Sequence, residues 1–577
     1  MDRDNSEKTG WPDDSAALAA QLAYWRTPDN VLRAYADGRF GQLHYRYAQP
    51  EVPERPAVVF LHQTPSSGRP WEGVLSRLGR TRVALAPDTP GFGDSDPPPS
   101  APSIADYAEA IVDVAAGLGL KQVDLVGDHT GAKVAAEIAR LRPDMVRKLV
   151  LYGAPVYSDA QRAAQHEVLA QKEREAAQPW PESGSFLTER WQRLQAHYGE
   201  DAPLALLDRD FAESLRAQSH AWWGYHAAYG YSHADVLPHL RQPILFVSAN
   251  DGLWEETHRA AKLVPDAKLI HRADWSVGAI SQHADALADL ICGFLDDEPA
   301  REHPTIAPRD PAGGGLRRRF VTAEGGQVHL RAAGAGGGDQ PPLFCFHMSP
   351  RSGHYYEPLL TALAANRQVF APDTPGYGES YKPTRRLEVA DYARILASAI
   401  DALGFETVDL LGDHTGTKIA IEIADQRPDL VRKVVMNTAG VYSAEEQKAW
   451  QGKMGTIEVQ PDGGHYAALW ERYQRLNRGK LTGEQIAFRF HETVRAGPCM
   501  WWGPRAANMY LLGDVLPDID QEILLVCSDE DSLIEPSRQG AKLLRNGRYR
   551  EYRGLGNSMM EHRVPDVAGD IDAFLRG

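Results

Sequence analysis

The sequence predicts an α/β protein of two tandem domains, each a mostly parallel β-sheet flanked by helices and covered by a helical lid. Its 577 residues exceed what one hydrophobic core organises, since single cores stop growing at about 250–300 residues. Whole phrases return at an offset of 285 residues: Gly127-Asp128-His129-Thr130-Gly131 reappears as Gly412-Asp413-His414-Thr415-Gly416. Self-similarity of this length divides the chain into two domain-sized units. Between the repeated phrases, short apolar runs alternate with longer stretches at helical spacing, the pattern of parallel strands joined by crossover helices.

The elements follow in order. Residues 1–30 form an N-terminal arm with one short helix, Ser15–Trp25, and no visible chemistry. Domain one spans 31–297 and domain two 316–577. Alternation and turn glycines predict a β-hairpin at 33–47 (Gly38, Gly41), with its counterpart at 320–331 around Gly325-Gly326. Strands are expected at 57–61, 82–86, 122–126 and 148–152, with helices at 104–118 and 132–141 among the crossovers. From about 156 to 237 the chain turns helical and aromatic-rich, which predicts a lid ending in Ala221-Trp222-Trp223-Gly224-Tyr225-His226; the second lid, about 441–516, carries Met500-Trp501-Trp502-Gly503. Paired tryptophans pack well and also suit the wall of an apolar or aromatic pocket, so Trp222, Trp223, His226, Trp501 and Trp502 are candidate substrate contacts. Strands at 244–248 and 523–527 resume the sheets, and each is followed by an acid, Asp251 or Asp531. A last strand and helix close the domains at Phe294-Leu295 and Phe574-Leu575. The stretch 298–315, with four prolines and Gly313-Gly314-Gly315, has the composition of a linker.

Composition narrows the partners. A formal charge of −16 without any Lys/Arg-rich block argues against nucleic acid and against an anionic membrane surface. The start of the chain is acidic, lacks the basic-then-apolar pattern of a signal peptide, and no run of about eighteen apolar residues occurs, so a cytoplasmic protein is expected. Four cysteines at irregular spacing suit neither a zinc site nor a disulfide framework. The expected partner is a small-molecule substrate, with no metal and no cofactor. The two halves are expected to pair as an intramolecular pseudo-dimer, with further oligomerisation left open.

The phrase 125–133 follows an apolar strand and opens a small-residue helix, with glycines at both tight positions. Upstream stand His62-Gln63-Thr64-Pro65 and Asp88-Thr89-Pro90-Gly91-Phe92-Gly93-Asp94-Ser95, repeated as His347-Met348-Ser349-Pro350 and Asp373-Thr374-Pro375-Gly376-Tyr377-Gly378-Glu379-Ser380. This ordered set resembles the α/β-hydrolase superfamily over nearly the whole chain: a nucleophile elbow, an oxyanion loop and the turn that follows it. The resemblance implies a nucleophile at the elbow, an acid after a late strand and a histidine before the last helix. His129 and His414 occupy the nucleophile position, and Asp251 and Asp531 that of the acid. The histidine position falls at Trp275-Ser276-Val277 and Gly556-Asn557-Ser558, where no side chain accepts a proton at neutral pH. Acyl-enzyme chemistry on serine is therefore not expected.

An elbow imidazole offers a replacement. At a helix N-terminus the positive end of the dipole disfavours the imidazolium, so His129 is expected to be a neutral base near pH 7, oriented by Asp251, with Asp128 pointing away. His414 and Asp531 repeat the pair. The loop at Gln63-Thr64 and the backbone N–H of Thr130, with Met348 and Thr415 in the second half, are placed to stabilise an oxyanion. His62 and His347 are expected to support these loops at the edge of the substrate site, and Asp88 and Asp373 to brace the next turn. The sharper alternative for His62, Asp88 and His129 is a facial metal triad. Lys133 and Lys418 are expected to be solvated or salt-bridged.

Two functional classes remain. One is a His–Asp general-base enzyme that hydrolyses, or cleaves at carbon, a small apolar or aromatic carbonyl or ester compound; elimination, decarboxylation and cofactor-free oxygenation begin with the same deprotonation. The other is a non-catalytic ligand-binding pseudo-hydrolase. The recurrence of Asp-His-Thr-Gly-x-Lys in both halves, beside diverged lids, favours the enzyme. Tyr225-His226 in one lid against Pro504-Arg505 in the other predicts unequal sites, with the first dominant because its lid offers Tyr225, His226 and Tyr229.

Overall fold

The computed structural model describes residues 15–176, 178–199, 201–217, 220–297, 305–308, 314–336, 338–450 and 458–577. Most of the expected linker and residues 1–14 of the arm lie outside these. The first sheet contains β1 (Leu32–Gly38), β2 (Gly41–Ala48), β3 (Ala57–Leu61), β4 (Ala84–Pro87), β5 (Val123–Asp128), β6 (Val146–Tyr152), β7 (Ile244–Ala249) and β8 (Lys268–Arg272). They lie in the order β1-β2-β4-β3-β5-β6-β7-β8. The second contains β9 (Arg317–Ala323), β10 (Gly326–Ala333), β11 (Leu343–Phe346), β12 (Val369–Pro372), β13 (Val408–Asp413), β14 (Val431–Asn437), β15 (Glu522–Ser528) and β16 (Gly547–Tyr552), in the corresponding order. In each sheet only the hairpin and its junction with the next strand are antiparallel.

Burial on both faces explains why the inner strands read as continuous apolar runs. In β3, Ala57, Val59 and Leu61 enter one core cluster while Val58 and Phe60 enter the other. In β11, Phe344 and Phe346 face one cluster and Leu343 and Cys345 the opposite one. The two expected lids are helical: Asp159–Ala176, Ser185–Tyr198, Leu204–Arg216 and Ala221–Gly230 stand between β6 and β7, and Ala444–Trp450, Gly464–Asn477, Gly483–Arg495 and Trp502–Met509 between β14 and β15.

The lids and the arm share a further core, in which Trp25, Trp191 and Phe211 pack with Tyr466, Trp470 and Phe490. Its hydrogen bonds are reciprocal. Trp191 Nε1 donates to the Pro461 carbonyl at 2.9 Å and Trp470 Nε1 to that of Pro181 at 2.8 Å. At the hairpins, the Arg33 N–H donates to Gln327 Oε1 and the Arg318 N–H to Gln42 Oε1, both at 2.8 Å. Trp25 sits between the halves, its Nε1 donating to Asp208 at 3.1 Å. Among the described residues no helix is long and apolar enough to cross a membrane.

Candidate active site

Each parallel sheet delivers its central strand, β5 or β13, into a corner occupied by histidine. His129 and His414 both adopt φ 50° and ψ −104° and cap the helices Thr130–Leu141 and Thr415–Gln426. A side-chain-bearing residue in such a conformation stores about 1–3 kcal/mol of strain. The flanking glycines make the corner passable. A Cβ on Gly127 would fall 2.3 Å from the Gly131 carbonyl oxygen, and one on Gly131 would fall 2.2 Å from that of Leu61.

The first imidazole meets the acid of the late strand: His129 Nε2 lies 3.1 Å from Asp251 Oδ2 and 3.8 Å from Asp128 Oδ1. The second turns differently. His414 Nδ1 bonds Asp413 Oδ1 at 2.6 Å, and its Nε2 is 3.5 Å from Asp531 Oδ2. Two differences between the halves accompany the turn. Gly153 leaves room for the first ring, since a Cβ there would stand 2.3 Å from His129 Cδ2. Thr438 fills the equivalent place in the second half, at φ 71°. Asn437, where the first half has Tyr152, fixes Asp413 with a 2.9 Å bond from its amide.

These contacts correct two expectations. Asp128 and Asp413 do not point away from the imidazoles, and the imidazoles are not held neutral. Burial alone lowers the pKa of His129, but the charge of Asp128 and the bond and charge of Asp251 outweigh it and raise it to about 9. Asp413 and Asp531 raise that of His414 to about 10. Two carboxylates at contact distance overcome the helix dipole, whose effect is typically 0.3–1 kcal/mol, roughly. Burial pushes Asp128 up to about 6. Burial also pulls Asp251 upward, yet its bond to His129 keeps it below the usual carboxylate range.

The neighbouring residues divide by what they touch. His62 Nδ1–H donates to the Gln63 carbonyl at 2.8 Å and Nε2 accepts from the Thr89 N–H at 2.9 Å; His347 does the same with Met348 and Thr374. Both rings are engaged by backbone groups and brace the loops. Asp88 is engaged by His44, Arg46 and the Gly68 N–H. His62, Asp88 and His129 therefore do not form a metal ligand set, and no group of three potential ligands is found among the described residues. Gln63 and Met348 are half-buried on their loops, and Thr415 Oγ1 accepts from the Ser349 N–H at 3.5 Å, tying loop to elbow.

The lid helices rest directly on these loops: a Cβ on Gly224 would strike Thr64 Oγ1, and one on Gly503 would strike Ser349 Oγ. Trp222 and Trp223 are half-buried beside them. His226 instead pairs with Glu173 at 3.1 Å on the outer side of the lid, contrary to expectation. Trp502 packs with Leu22 of the arm and Cys499, a structural position, and Trp501 lies under the Arg472 guanidinium. Lys133 and Lys418 are neither solvated nor salt-bridged. Each is buried, donates to a lid carbonyl (Ala228 or Ala507), and lies over a tyrosine ring, Tyr157 at 5.2 Å or Tyr442 at 5.0 Å. Burial lowers both pKa values to about 7. Their identical position one turn into each elbow helix was the only sequence signal for this role.

The model of the alpha/beta hydrolase fold matches residues 56–252 and 341–473, more than half of the chain. A haloalkane dehalogenase of Mycobacterium tuberculosis is 28% identical over 145 residues, covering 25% of this chain and 49% of that protein. An epoxide hydrolase of Siraitia grosvenorii is 41% identical over 98 residues, covering 16% and 31%. An uncharacterised M. tuberculosis protein is 32% identical over 117 residues, covering 20% and 34%. The chain thus spans between 31% and 49% of the length of these curated relatives. The solved structure of a Pseudomonas aeruginosa hydrolase, 19% identical, aligns with a TM-score of 0.40 over 46% of this chain and 98% of its own. With the family model matched in both halves, the chain belongs to the α/β-hydrolase fold family.

Proposed function

We propose that this chain is a hydrolase of small apolar or aromatic carbonyl or ester compounds, in which an elbow imidazole paired with a carboxylate transfers the protons. The observation that carries this reading is the occupied corner: in each half a histidine stands at the strained strand-to-helix turn, in contact with Asp251 or with Asp413 and Asp531. The relatives named haloalkane dehalogenase and epoxide hydrolase support the reaction class. The repeat supports a tandem duplication, and the reciprocal hydrogen bonds between the halves support an intramolecular pseudo-dimer, the self-complementary contact of a two-fold pair.

The resting imidazole is the imidazolium, so it acts first as an acid. It bonds the carbonyl oxygen on which charge develops and gives it the proton as water adds to the acyl carbon. The neutral imidazole takes the proton that the added water loses and passes it to the alkoxide as the C–O bond breaks; the carbonyl oxygen then returns its proton, and the ion pair with the carboxylate is restored. The N–H groups at Thr130 and Thr415 and the loops at Gln63 and Met348 face the developing oxyanion. Serine does not serve as nucleophile, because Ser276, Val277 and Asn557 supply no base for it. His129→Ala and His414→Ala, assayed singly and together on aryl and alkyl esters, test the reading. The double variant is expected to lose about 10²–10⁴-fold in rate; undiminished turnover would contradict it.

A further inference from the structure

Two buried guanidinium nitrogens near the second elbow, Arg351 Nη1 and Arg489 Nε, have no hydrogen-bond partner, and the Tyr355 hydroxyl is engaged by Asp413. Unsatisfied buried groups are few in a native fold and call for an explanation, such as a ligand they await. Arg351 ends the loop 347–351, which the Ser349 N–H ties to Thr415 at the elbow. It is 5% exposed and pairs with no carboxylate among the described residues. Arg489, on the lid helix Gly483–Arg495, bonds Asn477 at 3.2 Å, Glu561 at 3.3 Å and the Ser558 hydroxyl. Glu561 is shared with the His562 imidazole, so the carboxylate that pairs with Arg489 is divided between two side chains, and Arg351 has none among the described residues. The Tyr355 phenol lies close enough to Asp413 and to Arg351 for both charges to act on it, which joins the guanidinium pair to the elbow.

The first half has other residues at these three positions. The positions equivalent to Arg351, Tyr355 and Arg489 are Ser66, Pro70 and Asp210, and Asp210 is already satisfied by Tyr198 at 2.7 Å and Arg209 at 2.7 Å.

We propose that the second site binds substrates that carry their own carboxylate: Arg351, backed by Arg489 and the Tyr355 hydroxyl, takes the carboxylate of a small aromatic or apolar acid while its reacting group meets His414. A planar guanidinium matches a carboxylate in two parallel hydrogen bonds, and the half-buried lid tryptophan supplies an apolar wall. A carboxylate also supplies the negative charge that a second buried guanidinium lacks. The inference rests on the proposed function for the reacting group, but the binding it describes does not require turnover.

Calorimetric titration of the full-length protein with benzoate tests it, with methyl benzoate as the uncharged control. Benzoate is expected to bind with one equivalent per chain. Arg351→Ser, which installs the first half's residue, is expected to weaken benzoate about ten- to a hundredfold and to leave methyl benzoate unchanged. Arg351→Lys keeps the charge without the fork and is expected to fall between, which covers the case in which the serine variant fails to fold. In the His129→Ala background, His414→Ala is expected to abolish the remaining second-site turnover and retain benzoate binding, so failure of the catalytic reading is seen separately. Equal benzoate affinity in the wild type, Arg351→Lys and Arg351→Ser proteins, two equal sites per chain, or no benzoate binding by the wild type would overturn the proposal.

Discussion

The elbow imidazoles set the pH behaviour because their folded-state pKa values, about 9 and about 10, lie above the ordinary histidine value of 6.5. The stability they contribute is fully present below pH 6.5 and is lost as the pH rises through 9 to 10. Lys133 and Lys418 work in the opposite direction. Their pKa values fall from 10.5 to about 7, so the cost of burying the ammonium is full below pH 7 and disappears toward 10.5. Lys133→Met is therefore expected to raise the melting temperature at pH 6, with the gain shrinking at pH 10; a loss at pH 6 would show that the bond to the Ala228 carbonyl outweighs the charge. His129→Ser is not expected to restore serine chemistry, because no base stands at Ser276 or Val277. A fluorophosphonate probe should leave that variant unlabelled, and stoichiometric labelling at position 129 would contradict this.

At the scale of the element, the strand–elbow–helix unit was legible in the sequence because its glycines and its position after an apolar run are local features. The direction of the imidazole pKa was not. The expectation considered the helix dipole alone, whereas the outcome depends on Asp251, 122 residues away in sequence, and on an Asp128 side chain whose rotamer no periodicity reveals. The different turn of His414 accompanies Thr438, which reads in sequence as an ordinary residue after a strand. Gly153→Ala places a Cβ against the His129 ring at a positive φ of 54°. It is expected to destabilise the fold by about 1–3 kcal/mol and to displace His129 from Asp251, leaving any second-site activity intact. Thermal unfolding with separate assays in the His414→Ala and His129→Ala backgrounds checks it; an unchanged first-site rate would count against the packing argument.

At the scale of the molecule, the two halves share an aromatic core built from both lids and the arm. Residues 316–577 expressed alone would expose Trp470, Phe490 and Tyr466, and are expected to associate or aggregate; a stable monomer by sedimentation would contradict this. The offset repeat made two domains readable, but the packing between them was not, since Trp191 and Trp470 look like any lid aromatics until their partners at Pro461 and Pro181 are seen. The expectation of a dominant first site rested on Tyr225, His226 and Tyr229, and of these His226 pairs instead with Glu173. The two sites instead differ in the charge around them, with Arg351 and Arg489 present only in the second. All of this depends on the elbow imidazole working as a proton donor. The pH profile of kcat/KM for ester hydrolysis by the full chain tests that most directly: a rate level through neutral pH that falls as pH passes about 9 to 10 is the predicted result, and a rate that instead climbs through the same range would show that the neutral imidazole is the working form and contradict the account.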